Sequence, residues 1–142
     1  MAIRTAKAQW EGKLQDGRGT VALGSGAFEG AYSFSSRFEE GTGTNPEELI
    51  GAAHAGCFSM ALAAALTRNG FSPRRVTTHA SVHLTKGAEG FEISAIELDT
   101  EADVPGVDAA KFTELADGAK KNCPVSKALA ATKISLHAKL LG

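Results

Sequence analysis

A long apolar stretch, from Leu49 to Leu66, stands out in a chain whose other apolar residues mostly alternate with polar ones. Asn45 and Pro46 precede this stretch, and they are residue types preferred at a helix N-cap and in the first turn. Gly70 follows it, and glycine commonly ends a helix. The pattern therefore predicts one long helix over 45–70. Because its residues are apolar or small on all sides, we expect this helix to be buried all round.

Alternating apolar and polar positions predict strands on both sides of this helix. Before the helix, the chain is predicted to form a meander of three short strands, at residues 6–14, 20–23 and 31–35. A loop over 37–44 leads from the meander to the helix. After the helix, two strands are predicted to form a hairpin, at residues 76–85 and 91–100. The apolar phase of the second strand shifts at Ile96, which indicates a β-bulge.

The C-terminal part is predicted to contain helices and one more strand. Asp108 is a typical N-cap for a helix over 109–122, and Cys123-Pro124 begins a short helical piece that ends at Ala130. Residues 133–140 alternate as a final strand. Clusters of strands interrupted by helices are typical of an α+β fold, so we expect antiparallel sheets around the long central helix. The length predicts a single domain over residues 1–142.

Composition and charge argue against several classes of function. Apolar residues make up 43% of the chain and charged residues 22%, as in an ordinary soluble domain. The formal net charge of −1 provides no basic surface for nucleic acid or an anionic membrane. The N-terminus has no signal-peptide core, and His54 makes the long helix a poor membrane span. We therefore expect a cytoplasmic protein without membrane or nucleic-acid partners.

Two cysteines carry the candidate chemistry, since structural disulfides are rare in the cytoplasm. Cys57 lies near the middle of the long helix, and Cys123 lies at the start of a short one, where the pKa of a thiol is lowered. Two such thiols fit an attacking and a resolving cysteine. A thiolate attacks a peroxide oxygen, and the resulting sulfenic acid condenses with the second thiol. From residue type alone, the alternative that either thiol is merely a small buried residue stays open.

Such a site needs a cation to hold the first thiol as a thiolate. Arg37, before the long helix, is the first candidate, and Arg18 is the second. Glu47 is a candidate to orient the arginine through a two-pronged contact. On one straight helix, Glu47 and Cys57 are separated by about 15 Å along the axis. If both serve one pocket, we expect the arginine and the glutamate to come from a second subunit, at a dimer interface.

The histidines give weaker signals. His54 lies three residues before Cys57, so the two side chains are neighbours on the helix and a histidine–cysteine nucleophile pair is conceivable. A packed or hydrogen-bonded histidine is the favoured interpretation among so many apolar residues. His79 and His83 share one face of a strand, which is weak evidence for a metal without a third ligand.

Several blocks of sequence form a recognisable set. They are Ala8-Gln9-Trp10-Glu11-Gly12, Gly19-Thr20-Val21, Arg37-Phe38-Glu39, the run from Gly43 to Ala55, the run from Cys57 to Leu62, Val104-Pro105-Gly106-Val107-Asp108 and Cys123-Pro124-Val125-Ser126. In these blocks, and nearly end to end, the chain resembles the OsmC/Ohr family of thiol-dependent hydroperoxide reductases. The block from Asn-Pro-Glu-Glu-Leu to Cys-Phe-Ser-Met is specific rather than a loose pattern.

The resemblance implies a tightly intertwined homodimer of α+β subunits with two active sites at the interface. It implies that Cys57 is the peroxidatic cysteine and Cys123 the resolving one, and that Arg37 and Glu47 assist them. The implied activity is reduction of organic hydroperoxides, and of hydrogen peroxide less well, by a small dithiol such as a reduced lipoyl group. No metal, haem or flavin is implied. The Ohr branch carries its arginine nearer the N-terminus, which keeps Arg18 as the second candidate.

Two other classes of function stay open at this point. One is a stress-induced binding or structural protein whose thiols are inert. The other is a different cysteine-nucleophile enzyme, such as an acyl transferase that uses His54 and Cys57. For the peroxidase, the apolar side chains of Phe38, Phe58 and Met60 are expected to line a pocket suited to bulky organic peroxides, an inference from residue type.

Overall fold

The computed structural model describes residues 2–142. Six strands and four helices occur in this part of the chain: β1 (Ala6–Glu11), β2 (Arg18–Leu23), β3 (Glu29–Tyr32), α1 (Phe34–Phe38), α2 (Pro46–Arg68), β4 (Arg75–Gly87), β5 (Gly90–Asp103), α3 (Ala109–Asn122), α4 (Pro124–Ala128) and β6 (Lys133–Leu141). The chain divides into two compact units, the first ending at Leu49 and the second running from Ile50 to Gly142. The single domain over 1–142 stays a prediction.

The first unit contains the predicted meander. β1 pairs with β2 and β2 with β3, all antiparallel. β1 ends at Glu11 rather than at the predicted position 14, because Gly12 takes a φ of +92° and turns the chain. β2 begins at Arg18, so this arginine lies on a strand and not in the preceding turn.

A short helix replaces the end of the predicted third strand and the start of the predicted loop. Ser33 and Ser36 form a reciprocal capping box: Ser36 N–H donates to Ser33 Oγ at 3.1 Å, and Ser33 N–H donates to Ser36 Oγ at 2.8 Å. These two bonds stop β3 and begin α1. As a consequence, Arg37 lies on a helix rather than in a loop.

The first unit buries few apolar side chains. Among residues 2–49, the buried polar and charged residues are Ser36, Thr44 and Glu47, and the buried apolar core of the chain has no member there. Its exposed large apolar residues are Ile3, Leu14, Leu23 and Phe28, each at least 39% exposed. A sheet of three short strands needs an apolar cover for stability. Among residues 2–49, no buried large apolar side chain provides that cover.

The long helix α2 begins and ends where the sequence predicts. Asn45 Oδ1 accepts a hydrogen bond from Glu48 N–H at 2.7 Å, and Gly70 takes a φ of +87° after the last turn. The expectation of burial all round is wrong for the single chain. One face carries Phe58, Leu62 and Leu66 into the core, all 0% exposed. The opposite face is exposed, and its residues are Ala52, Ala53, Gly56, Met60 and Ala64.

By length and composition, α2 also meets the criteria for a membrane span. Within residues 2–142 it is one helix that is long and apolar enough, with a mean hydropathy of 1.7 and a third of that window buried. Central helices of soluble proteins meet the same criteria, so this property is weak evidence for a membrane.

The second unit contains a mixed three-stranded sheet in the order β4-β5-β6. The predicted β4–β5 hairpin is confirmed, and so is the bulge: His83 pairs with Ala95 and Leu84 with Ile93, which leaves Ser94 as the extra residue. The prediction of antiparallel sheets is wrong for β6, which pairs with β5 in parallel. The reason is the crossover through α3 and α4, which allows β6 to enter the sheet in the direction of β5.

The apolar core lies between this sheet and the helices of the second unit. It combines α2 with the inward face of β5 and the apolar face of α3; its members are Phe58, Leu62, Leu66, Ile96, Leu98, Ala102, Val104, Val107, Phe112, Ala116, Ala119 and Cys123. Asp108 caps α3 as predicted, since its Oδ1 accepts from Lys111 N–H at 2.7 Å. Cys123 is thus a member of the core as well as a candidate site residue.

We expect Phe112→Ala to lower the free energy of unfolding by about 3–5 kcal/mol, because it empties a fully buried site in this core. Thr113→Ala is the matched control: the neighbouring residue is exposed, and its truncation should change stability by less than about 0.5 kcal/mol. Urea denaturation followed by circular dichroism measures both. Equal losses in the two variants would contradict the inward orientation of Phe112.

Candidate active site

The two cysteine sulfurs touch. Cys123 Sγ donates to Cys57 Sγ at a distance of 2.8 Å, and both residues are free thiols. Cys57 is partly exposed, whereas Cys123 is fully buried. The sequence predicts that these two thiols work as a pair, and the structure brings their sulfurs into contact.

The backbone around Cys123 is fixed on both sides. Its N–H donates to Ala119 O at 2.9 Å and so ends α3. The same residue is the N-cap of α4, where Pro124 occupies the first turn and the carbonyl of Cys123 accepts from Lys127 N–H. A residue that ends one helix and begins the next has little freedom to move its sulfur.

The two thiols differ in acidity. Burial, and then the hydrogen bond with Cys123, raise the pKa of Cys57. Burial also acts to raise the pKa of Cys123, but hydrogen bonding with Cys57 and the amide and hydroxyl of Ser126 outweigh it, so the pKa of Cys123 is lowered. In the thiol form, the sulfur of Cys123 makes no capping hydrogen bond to α4. The predicted lowering of the Cys123 pKa is confirmed, whereas the pKa of Cys57 is raised.

His54 is buried and hydrogen-bonded, as the favoured interpretation predicts. Its Nε2 lies 2.8 Å from Ser126 Oγ, and burial lowers the pKa of the ring. Nδ1 has no hydrogen-bond partner within residues 2–142. The hydrogen bond of His54 therefore goes to Ser126 rather than to Cys57, which removes the main support for a histidine–cysteine nucleophile pair.

Ser126 is a site residue that the sequence argument missed. It is buried at 5% exposure, its hydroxyl lies 2.8 Å from His54 Nε2, and it acts to lower the pKa of Cys123. The available signal was its spacing, because the third residue of a helix is a neighbour of the N-cap residue. Cys123 is that N-cap residue in α4.

Arg37 and Glu47 form a two-pronged ion pair in the first unit, as predicted. Arg37 Nε donates to Glu47 Oε1 and Arg37 Nη2 donates to Glu47 Oε2, each at 3.0 Å. The Glu47 side chain is 10% exposed and the Arg37 side chain 35%. The guanidinium also lies over the Phe38 ring, 5.2 Å from its centroid. A paired and partly buried carboxylate of this kind holds the arginine in one orientation.

Arg18, the second candidate, has a weaker partner. It pairs with Glu11 at 3.6 Å, and its side chain is 84% exposed. Long exposed pairs of this kind hold a side chain only loosely. The structure therefore favours Arg37 over Arg18 as the oriented cation.

A pocket of about 390 Å³ lies next to Arg37 in the first unit. Its lining is largely aromatic and comprises Trp10, Gly12, Leu14, Tyr32, Ser33, Phe34, Arg37 and Phe38. Phe38 lines an apolar pocket as expected. The expectation for Phe58 is wrong, because that ring is fully buried in the core of the second unit, and Met60 is 76% exposed.

The remaining histidines give no metal site. Among residues 2–142, no group of three or more His, Cys, Asp or Glu side chains is placed to hold a metal ion. His83 instead forms a hydrogen bond with Glu97 on the neighbouring strand.

Comparison with known proteins supports a peroxidase-type redox role for this chain. The sequence model described as OsmC-like protein matches residues 39–137. Peroxiredoxin OsmC of Escherichia coli is 49% identical to this chain over 129 residues, which are 90% of each protein.

Solved structures share the fold. The crystal structure of the organic hydroperoxide resistance protein OhrB of Bacillus subtilis matches with a TM-score of 0.68 and 26% identity, and covers 96% of this chain and 98% of OhrB. An OsmC-like protein of Vibrio cholerae matches with a TM-score of 0.78 over 97% of this chain and 99% of its own. Its identity of 16% makes that likeness one of fold alone.

Burial of His54 predicts a pH dependence of stability. Because burial lowers the pKa of His54 below the 6.5 of the unfolded chain, the unfolded state binds the proton first. This contribution to stability is fully present above pH 6.5 and is lost as pH falls below it, by at most about 1.4 kcal/mol per pH unit.

We expect His54→Gln to remove this acid-sensitive contribution. Urea unfolding of wild type and His54→Gln at pH 7.5, 6.5 and 5.5 tests this expectation. These values bracket the ordinary histidine pKa of about 6.5. The stability difference between wild type and variant should shrink as pH falls. A difference that stays constant over this range would contradict the neutral, buried state of the ring.

Proposed function

The chain belongs to the OsmC-like protein family, and from this premise we propose that it is a thiol-dependent peroxidase that reduces organic hydroperoxides to alcohols. The observation that carries the proposal is the 2.8 Å contact between the sulfurs of Cys57 and Cys123. A peroxidase-type redox role is also supported by relatives called peroxiredoxin and organic hydroperoxide resistance protein.

In the first proposed step, the Cys57 thiolate attacks the outer oxygen of the hydroperoxide. The S–O bond forms, the O–O bond breaks, and the alkoxide leaves and takes up a proton to give the alcohol. Cys57 suits this role better than Cys123, because it is the partly exposed member of the pair. Cys57 is thereby oxidised to a sulfenic acid.

In the second proposed step, Cys123 attacks the sulfenic sulfur of Cys57. A disulfide forms and the sulfenic oxygen leaves as water, as a contact distance of 2.8 Å between the sulfurs allows with little movement. A dithiol, such as a reduced lipoyl group, then reduces the disulfide and becomes oxidised itself. No step requires a metal, haem or flavin, and the proposed setting is the cytoplasm.

Arg37 is proposed to hold Cys57 as a thiolate and to stabilise the departing alkoxide. Burial raises the pKa of Cys57 within its own unit, and a cation beside the sulfur would favour the thiolate. Glu47 occupies Nε and Nη2 of Arg37, which leaves the Nη1 edge of the guanidinium outside the ion pair. The aromatic pocket beside Arg37 suits the apolar part of a bulky organic hydroperoxide.

The proposed enzyme is a homodimer in which Arg37 and Glu47 of one subunit serve Cys57 of the other. The helix α2 is continuous from Pro46 to Arg68, so Glu47 and Cys57 of one copy are about 15 Å apart along its axis. One small pocket cannot include both from the same copy over that length. A second copy removes the conflict.

Two exposed surfaces rich in small and apolar residues support the proposed dimer. One face of α2 exposes small and apolar residues, and a Cβ atom at Gly56 would meet nothing within 4 Å. A glycine inside a helix is destabilising by about 1 kcal/mol relative to alanine, and a close approach by another chain would explain it. The first unit, for its part, exposes the apolar residues Leu14 and Leu23 and lacks an apolar core.

The alternatives have less support. Inert thiols in a binding or structural protein would not need their sulfurs in contact, nor the lowered pKa of Cys123. An acyl transferase that uses Cys57 and His54 would need a bond between them, and His54 bonds to Ser126 instead.

Single substitutions of the cysteines test the peroxidase proposal. We expect Cys57→Ser to abolish the consumption of cumene hydroperoxide with dithiothreitol, because a serine hydroxyl does not form a sulfenic acid. Cys123→Ser should consume one equivalent of peroxide per chain and then turn over poorly, since the sulfenic acid has no resolving thiol. Peroxide loss followed at a fixed dithiol concentration measures both. Retained turnover in Cys57→Ser would defeat the assignment of the attacking sulfur.

Mixed dimers test the origin of the arginine. Cys57→Ser and Arg37→Ala subunits are each expected to be inactive alone. After co-expression, about one quarter of wild-type activity should return, since half of the dimers are mixed and each of these has one intact site. If Arg37 served the cysteine of its own chain, no intact site would form. Co-expression of Cys57→Ser with Cys57→Ser subunits is the control for background activity.

A further inference from the structure

A buried pair of side chains beside the sulfurs takes no part in the steps above. His54 is fully buried on α2, and its Nε2 lies 2.8 Å from Oγ of Ser126 on α4. Nδ1 of the same ring has no hydrogen-bond partner within residues 2–142. Buried polar atoms are nearly always paired, so this unpaired nitrogen needs an explanation.

The unpaired nitrogen indicates which tautomer His54 adopts. A proton on Nδ1 would leave a buried N–H donor without an acceptor, which native structures rarely tolerate. With the proton on Nε2, His54 donates to Ser126 Oγ. The hydrogen of the Ser126 hydroxyl is then free to point to a different acceptor.

By its position in the helix, Ser126 has the sulfur of Cys123 as a possible second partner. Ser126 is the third residue of α4, and Cys123 is the N-cap of that helix, so the two side chains are neighbours. In the thiol form no capping hydrogen bond joins this sulfur to α4, and the amide and the hydroxyl of Ser126 act to lower the pKa of Cys123. When Cys123 is a thiolate, the donors are thus placed to form one directed chain, from His54 Nε2–H through Ser126 Oγ–H to Cys123 Sγ.

We propose that His54 is a positioning residue for the resolving step: by donating to Ser126, it directs the serine hydroxyl to the sulfur of Cys123, which then attacks the oxidised sulfur of Cys57 as a thiolate. This inference rests on the proposed peroxidase function. In the step, an S–S bond forms and the S–O bond of the sulfenic acid breaks. The departing hydroxide takes up the proton that the Cys123 thiol has released and becomes water. The sulfur of Cys123 is oxidised and that of Cys57 is reduced, so no other reactant is required.

The ratio of two competing products tests the proposal. With excess cumene hydroperoxide, the sulfenic acid of Cys57 either condenses with Cys123 or is oxidised further to sulfinic acid, and mass spectrometry of the intact protein measures both. In His54→Phe and in Ser126→Ala, the ratio of sulfinic acid to disulfide should rise about tenfold, as expected for the loss of one hydrogen bond to a charged group.

His54→Gln is the matched control for the volume and polarity of the site. The glutamine amide can donate to Ser126 from nearly the position of Nε2, although it does not titrate. This variant should keep the product ratio within about threefold of wild type, since the donor chain is retained. Equal effects of Gln and Phe at position 54 would overturn the proposal.

The pH profile of disulfide formation separates stabilisation of the thiolate from a displaced side chain. The titratable groups in mutual contact here are His54, Cys57 and Cys123 through Ser126. Loss of the donor chain should move the rising limb of the profile to higher pH. A displaced Cys123 would slow the reaction at every pH without moving that limb, which would overturn the inference. If wild type formed neither sulfenic acid nor disulfide with peroxide, the peroxidase function itself would fail.

Discussion

The contact between the sulfurs of Cys57 and Cys123 depends on the apolar core of the second unit. Phe58 follows Cys57 on α2, and Ala119 lies one turn before Cys123 on α3, and both are members of the same buried cluster. The core therefore sets the separation of the two sulfurs at 2.8 Å. Because a protein interior resists small shifts, a contact at the edge of this core is held close to that separation.

The location of the two sulfurs beside the apolar core also affects the pKa values of the thiols. Burial disfavours the charged form of a thiol, and it is the leading cause of the raised pKa of Cys57. At Cys123 the same effect is outweighed by hydrogen bonding with Cys57 and with residues of the first turn of α4, so the pKa of Cys123 is lowered. Cys123, the proposed resolving thiol, thus has its stabilising groups in its own unit. In the proposed mechanism, the thiol of Cys57 takes its stabilising charge from Arg37 of a second copy, and Glu47 holds that arginine in one orientation.

Local sequence signals predicted the helices whose ends are fixed by neighbouring residues. Asn45, Asp108 and Gly70 mark helix ends through their own caps and backbone angles, and each lies where the pattern places it. The direction of β6 was not predictable in this way, because parallel pairing with β5 depends on where the crossover through α3 and α4 returns the chain. The helix α1 was missed for a different reason. The alternation over 31–35 resembles a strand, but the bonds between Ser33 and Ser36 override it.

The residues of the candidate site also differ in whether local sequence signals could predict them. The cysteines and the Arg37–Glu47 pair were predictable because thiols and a two-pronged ion pair have recognisable chemistry. Ser126 was not, because a serine acquires a role only through neighbours that are distant in sequence, and His54 is 72 positions away. Burial of α2 was predicted for every side, whereas a third of its most apolar window is buried in the single chain. An apolar sequence pattern indicates that residues are buried in the functional protein. It does not distinguish burial within one chain from burial against another chain. The exposed face of α2, with Met60 at 76% exposure, is therefore the surface that the second copy of the proposed dimer would cover.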